Sequence, residues 1–336
     1  MYLSEVNSPT QERLFLSLPK KIYKNDPNWI QPLDQDIKKV FNSKTNKLYH
    51  LGAKTIRYNL FNQTNKHIGR IAVFVNPKYE KGTIGGFGFF ECINDQQAAN
   101  ILLDAAKNWL KSHGIDSMDG PINFGERDQW WGLLVEGFHE PLYGMNYNPK
   151  YYSNLLEDYG LKNYFNQECF SLNLKNRFQD KFYIQHEKIK SEGGYKAIHY
   201  RKNKLKKFVT DFHFIYNKAW ATHGEGKELN LTQAMKIFQS MNPIVEEQMV
   251  WFVYKNDEPI AFWVNLPDLN QYFKHLNGKF GLFQKMKFLF LKTFAKKKRI
   301  IGIVFGVIPE YHGKGVDSFM IIEGCKTIHD QLGYED

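Results

Sequence analysis

The sequence predicts an α/β (α+β) protein made of two similar units, each a mostly antiparallel twisted sheet flanked by helices. Three observations carry this. The 336 residues exceed the usual span of one domain. At 43% hydrophobic and 24% charged residues there is ample apolar material for packed cores. The order hairpin, strand, helix also occurs twice along the chain.

In the first half, ordered signals begin after residue 50. Thr55–Phe61 and Ile68–Val75 are β-rich runs joined by the polar cluster Asn62-Gln63-Thr64-Asn65-Lys66, which predicts a hairpin. Thr83–Cys92 follows as a strand whose glycines indicate twist or close backbone approach. A helix is then predicted, capped by Asn94 with Gln97 three residues on. Ala98, Ile101, Leu102, Ala105, Trp109 and Leu110 form its apolar stripe, and Gly114 ends it. Ile115–Met118 is a short strand broken by Asp119-Gly120-Pro121, and Tyr151–Tyr159 is a helix closed by Gly160.

In the second half, Thr232–Met241 is an amphipathic helix capped by Asn230 or Thr232. Met249–Tyr254 and Ile260–Leu266 pair across Lys255-Asn256-Asp257-Glu258. Ile300–Ile308 has the apolar character of a strand buried in a sheet. Ser318–Gln331 is a helix with Phe319, Ile322, Cys325, Ile328 and Leu332 on one face. The domains are therefore placed at residues 1–165 and 166–336, the second carrying a basic amphipathic insertion at 267–299. Few residues follow the second helix, so the second unit is expected to be cut short, or to end in an open sheet edge.

Three widely spaced cysteines (Cys92, Cys169, Cys325) exclude a disulfide scaffold and favour a reducing compartment. The opening residues show no basic region leading into an apolar run, and the longest apolar stretch is far below the roughly 20 residues of a bilayer span. A cytoplasmic protein, in reach of a membrane surface, is expected. No histidine spacing suits a metal, so none is expected. Gly-x-Ser-x-Gly and Walker signatures are absent, and Gly85-Gly86-Phe87-Gly88 precedes more strand rather than a helix.

The passage Val304–Ile322, VFGVIPEYHGKGVDSFMII, runs from a strand through a glycine-spaced loop into a helix. Glycines let backbone amides converge, the helix dipole adds partial positive charge, and Lys314 adds a full one, so the loop suits an anion such as a pyrophosphate. It resembles the acyl-CoA loop of the GNAT-type N-acyltransferases, Arg/Gln-x-x-Gly-x-Gly/Ala after a strand ending Val-x-Pro-x-Tyr/Phe. Gly315 matches, while His312 replaces Arg/Gln and Asp317 replaces Gly/Ala. The resemblance implies acetyl-CoA or a longer acyl-CoA as co-substrate. Val307 would offer its backbone to the pantetheine arm, the amides of Gly313, Lys314, Gly315, Val316 and Asp317 would hold the pyrophosphate, and His312 would be part of the same cofactor-binding loop. It also implies direct attack of an amine acceptor, small or amphiphilic, on the thioester, with a tyrosine on the helix after the next strand protonating the leaving thiolate. That segment is not among these residues, so no catalytic group is assigned.

Asp317 departs from the pattern. Its carboxylate could bond the free helix amides itself and would repel a phosphate by about 1 kcal/mol when solvated. The competing reading is therefore a non-catalytic module with a closed CoA site. In the first half, Glu91 and Asp95 stand where the phosphate would sit. There Asp26-Pro27-Asn28-Trp29, GGFGFFE, Gly120-Pro121-Ile122-Asn123-Phe124 and Asn148-Pro149-Lys150-Tyr151-Tyr152 resemble a bacterial tandem GNAT-like family.

Gly120–Gly125, with the following Glu126-Arg127-Asp128-Gln129-Trp130-Trp131, is either a cleft loop in which Asn123 or Arg127 touches substrate or a structural turn. Asn146 and Tyr147, in Met145–Pro149, stand under the same two readings. The net charge of +10 has an address: Lys279 to Arg299 holds eight cations and no acid, interleaved with Phe, Leu and Met. Such a segment either contacts an anionic membrane surface or packs with its lysines solvated. A second basic run, Tyr200–Phe208, raises RNA, including an aminoacyl-tRNA donor, but without an RNA-binding signature nucleic acid is disfavoured.

Overall fold

A computed structural model of the protein describes residues 1–79, 84–125, 127–220, 228–296 and 298–336. Thr83 and Glu126, named above, and Lys297 of the basic run lie outside the described residues. The chain divides into two units, Met1–Gln167 with Tyr272–Thr293, and Glu168–Gln271 with Phe294–Asp336.

The first unit opens, ahead of the elements expected from residue 50 on, with strand β1 (Tyr2–Glu5) and helices α1 (Pro9–Ile22) and α2 (Asp34–Val40). Ser8 accepts from the Gln11 amide and Pro9 occupies the first helical turn, a start signal in plain view. Strands β2 (Lys54–Phe61), β3 (His67–Val75), β4 (Ile84–Cys92) and β5 (Ser117–Asp119) complete a sheet in the order β1-β2-β3-β4-β5. Only β4 and β5 run parallel. Helix α3 (Gln96–Lys111) packs on the sheet and α4 (Tyr152–Asp158) follows.

Two details of α3 differ from expectation. Asp95, not Asn94, is the cap, its Oδ1 accepting from the Ala98 amide at 3.0 Å. The buried stripe is also rotated: Ala99, Leu103 and Ala106 are fully buried with Ala98, Leu102 and Leu110, while Ile101, Ala105 and Trp109 sit at its margin. Gly88 shows why β4 is glycine-rich, since a Cβ there would overlap the Ile122 carbonyl.

The second unit contains α5 (Asp180–Glu192), β6 (Tyr195–His199), α6 (Leu205–Trp220), α7 (Leu231–Met241), β7 (Val250–Lys255) and β8 (Glu258–Pro267). The one-turn α8 (Asn270–Phe273) and the helix α9 (Leu282–Phe294) come next, then β9 (Ile300–Val307) and α10 (Val316–Asp330). Its sheet, β6-β7-β8-β9, is antiparallel throughout. Asn230 and Gln233 form a reciprocal capping box on α7. Asn256 and Asp257 both take positive φ in the β7–β8 turn, as a tight hairpin requires. Phe208, Phe212, Phe238, Phe252 and Phe262 fill the core between α6, α7 and the sheet, with Phe319 of α10 in the same cluster. Both units share the succession β-α-α-β-β-β-α, wider than the hairpin-strand-helix repeat expected.

Three expectations change in this half. Helix α10 starts two residues early, at Val316. Strand β9 is not buried: it ends the described sheet and Ile303 is 50% exposed. Its first residue and the chain just before it bond the final residues, Ile300 N donating to the Asp336 carbonyl at 2.8 Å and Glu335 N to that of Lys298 at 2.8 Å. Most of the expected second-domain insertion belongs to the first unit. The Asp34 amide donates to the Gly278 carbonyl at 2.7 Å, Phe273 packs edge-on against Tyr143, and Lys274 pairs with Glu140 at 3.0 Å.

Candidate functional site

Short-range bonds organise the loop after β9. Tyr311 N donates to Ile308 O at 2.9 Å, and the His312 ring Nε2 lies 2.8 Å from Val307 O. A carbonyl can only accept, so Nε2 carries the proton. Gly313 (φ +71°) and Gly315 (φ +85°) take left-handed conformations that swing the chain into α10. Gly315 is the N-cap, and without a side chain it leaves the end of α10 uncapped. Among the described residues, the amides of Val316, Asp317 and Ser318 donate to no group of the chain.

Beside these amides is a cleft of about 410 Å³, lined by Ala219 and Trp220 from the end of α6, Phe305, Gly306 and Val307 from β9, and Tyr311, His312, Gly313 and Asp317. Trp220 Nε1 donates to the Phe305 carbonyl at 3.0 Å, fixing the indole as one wall. The structure thus brings Val307, His312, Gly313 and Asp317 together on one cleft. Gly315 and Val316 are buried beneath it, and the exposed Lys314 extends its Nζ to 5.0 Å from the Tyr311 ring centre. Asp317 is exposed and, among the described residues, its carboxylate bonds none of the helix amides. The self-capped end weighed from the sequence does not form. The Val307 carbonyl is occupied by His312, so a pantetheine amide would compete with the imidazole for it.

Trp220, Phe305 and Tyr311 were not among the sequence candidates. Tyr311 stands in the Pro-Glu-Tyr strand exit and could have been read there. Trp220 belongs to a helix the sequence reading did not identify.

The matching place in the first unit is filled. Asp95 caps α3, and Glu91 is buried with Arg70, Nη2 to Oε1 at 3.3 Å, while Tyr152 Oη donates to its Oε2 at 2.8 Å. Burial raises the Glu91 carboxyl against the pull of Arg70. Asn123 is buried with an unpartnered Oδ1, and Arg127 lies exposed over the Trp131 ring. Asn146 donates to the Gly132 carbonyl at 2.8 Å and Tyr147 to Asp26 at 2.8 Å. In this structure those two side chains brace the loop that carries them.

The Tyr200–Phe208 run is partly neutralised by acids of its own unit, Arg201 pairing with Glu247 at 3.7 Å and Lys207 with Asp211 at 2.7 Å. Among the described residues no group of His, Cys, Asp and Glu is arranged to hold a metal ion. No described helix is long and apolar enough to cross a membrane.

No protein-family model matches the chain. Among curated proteins, it is 25% identical to the bacterial ceramide synthase of Caulobacter vibrioides over 282 residues, which are 82% of this chain and 72% of that one. It is 24% identical to protein YghO of Escherichia coli over 307 residues, 89% of this chain and 76% of that one. Among solved structures it is similar, with a TM-score of 0.50 and 11% identity, to the GCN5-related glucosamine N-acetyltransferase region of a fungal multi-domain GH3 β-N-acetylglucosaminidase. That likeness covers 99% of this chain and only 34%, about a third, of the fungal protein. With its sheets, its strand-to-helix glycine loop and this likeness together, the chain has the fold of the GCN5-related N-acetyltransferases.

Proposed function

We propose that the protein transfers an acyl group from an acyl-CoA thioester to the primary amine of a long-chain amphiphile. The observation that carries this is the uncapped end of α10, three free amides beside an aromatic-walled cleft. Free amides at a helix start, with Lys314 near, suit the pyrophosphate of CoA. The cleft wall formed by Trp220 and Phe305 suits the apolar part of the donor. In the reaction the amine lone pair attacks the thioester carbonyl, the C–N bond forms and the C–S bond breaks. The leaving thiolate takes up a proton and the ammonium gives one up, leaving an amide and free CoA. The similarity to a ceramide synthase supports a long-chain amino alcohol as the acceptor, since a ceramide is the N-acyl product of one.

The test combines calorimetry with acetyl-CoA and a long-chain acyl-CoA, and thiol release with a long-chain amino alcohol, the amide being identified by mass. Binding of the long-chain donor and amine-dependent thiol release are expected. Absence of donor binding would overturn the reading in favour of a non-catalytic module.

A further inference from the structure

Helix α9 is turned inside out. Not one of its residues is fully buried, and six of its large apolar side chains are exposed. Leu282 is 79% exposed, Phe283 73%, Met286 63% and Leu289 60%; Phe290 and Phe294 are exposed on the same side. At 100° per residue these positions share one continuous face. The helix is anchored by the opposite side, where Phe288 packs against Tyr272, Phe273 and Phe280 with ring centres 5.6 to 5.8 Å apart.

The charge carried by the segment itself has one sign. The segment Tyr272–Thr293 carries five lysines (Lys274, Lys279, Lys285, Lys287, Lys292) and no acidic residue. Lys279 and Lys285 are exposed. A second copy of the chain meeting this face would bring lysines against lysines. An anionic bilayer surface supplies the complementary charge and an apolar layer for the phenylalanines and leucines at once.

We propose that the outer face of α9 docks the protein on an anionic lipid surface, with Leu282, Phe283, Met286 and Leu289 entering the acyl boundary and Lys279 and Lys285 contacting lipid phosphates. The inference does not rest on acyl transfer.

The test is co-sedimentation of the full-length protein with phosphatidylcholine vesicles, with and without phosphatidylglycerol, in the absence of acyl donor and amine. Stronger partition onto the anionic vesicles, weakened by salt, is expected. The pair Phe283→Ser and Leu289→Ser should lower partition at least tenfold on both vesicle types. The pair Lys279→Gln and Lys285→Gln should lower it about 25-fold on anionic vesicles alone, about fivefold per lysine. Thermal melts check that each variant is folded; should the serine pair fail to fold, the glutamine pair decides. Wild-type protein that does not distinguish the vesicles, or a folded serine pair that binds like wild type, would overturn the proposal. So would a wild-type dimer that the serine pair dissociates without any vesicle binding, since a second copy would then be the occupant.

Discussion

Gly315 and Gln185 leave no room between them: a Cβ at position 315 would stand 2.7 Å from Gln185 Oε1 and 2.9 Å from Gln185 Cβ. Helix α5 thus backs the loop that exposes the α10 amides. Gly315→Ala meets this obstruction and also a φ of +85°, which side-chain-bearing residues resist. We expect at least tenfold weaker acyl-CoA binding by calorimetry. Adding Gln185→Ala should recover only part of it, because the backbone strain persists.

Asp317 sets a carboxylate beside amides that would hold a phosphate. Asp317→Asn removes the charge and keeps the shape, so acyl-CoA should bind about fivefold more tightly at low salt, from about 1 kcal/mol of relieved repulsion. The gain should shrink as salt screens it. An unchanged affinity would place the pyrophosphate elsewhere.

Arg70 and Glu91 are both buried, and Glu91 also receives Tyr152. Arg70→Met leaves an uncompensated buried carboxyl and should cost about 3 to 5 kcal/mol in urea unfolding. Pairing it with Glu91→Leu should restore most of the loss, because no charge is then stranded.

His67 has its ring buried, Nε2 3.1 Å from the Gly69 carbonyl and Nδ1 without a partner. Burial pulls its pKa from 6.5 down to about 4. The native ring stays neutral where the unfolded one gains a proton. Its contribution to stability is therefore complete above pH 6.5 and is lost as the pH falls toward 4, about 3 kcal/mol in all. Urea midpoints across that window should fall less steeply in His67→Gln than in wild type.

Local signals made much of this fold legible. The hairpins announced themselves through β-rich runs around polar turns, and α7 through Asn230 and Gln233. Strand β1 did not, because its partner is distant: Tyr2 pairs with Phe61, with two helices between them. Pro19 inside α1 masked a helix whose start signal was clear. The apolar run of β9 suggested burial, yet at a sheet edge such a run can remain half exposed. The phosphate-facing side of the candidate cleft lay in one contiguous stretch and could be read directly. Its aromatic wall joins Trp220 to Phe305 across 85 positions, a meeting made only by folding.

The segment Tyr272–Thr293 leaves the second unit and returns to it, so the chain passes between units three times. Neither unit is a contiguous stretch of polypeptide. A fragment ending at Gln167 would lack the Gly278 carbonyl that receives the Asp34 amide, and would uncover the side of Tyr143 on which Phe273 packs. A ribosome cannot finish the first unit before it has made most of the second. The two must therefore mature together, and a single cut between them yields two incomplete pieces.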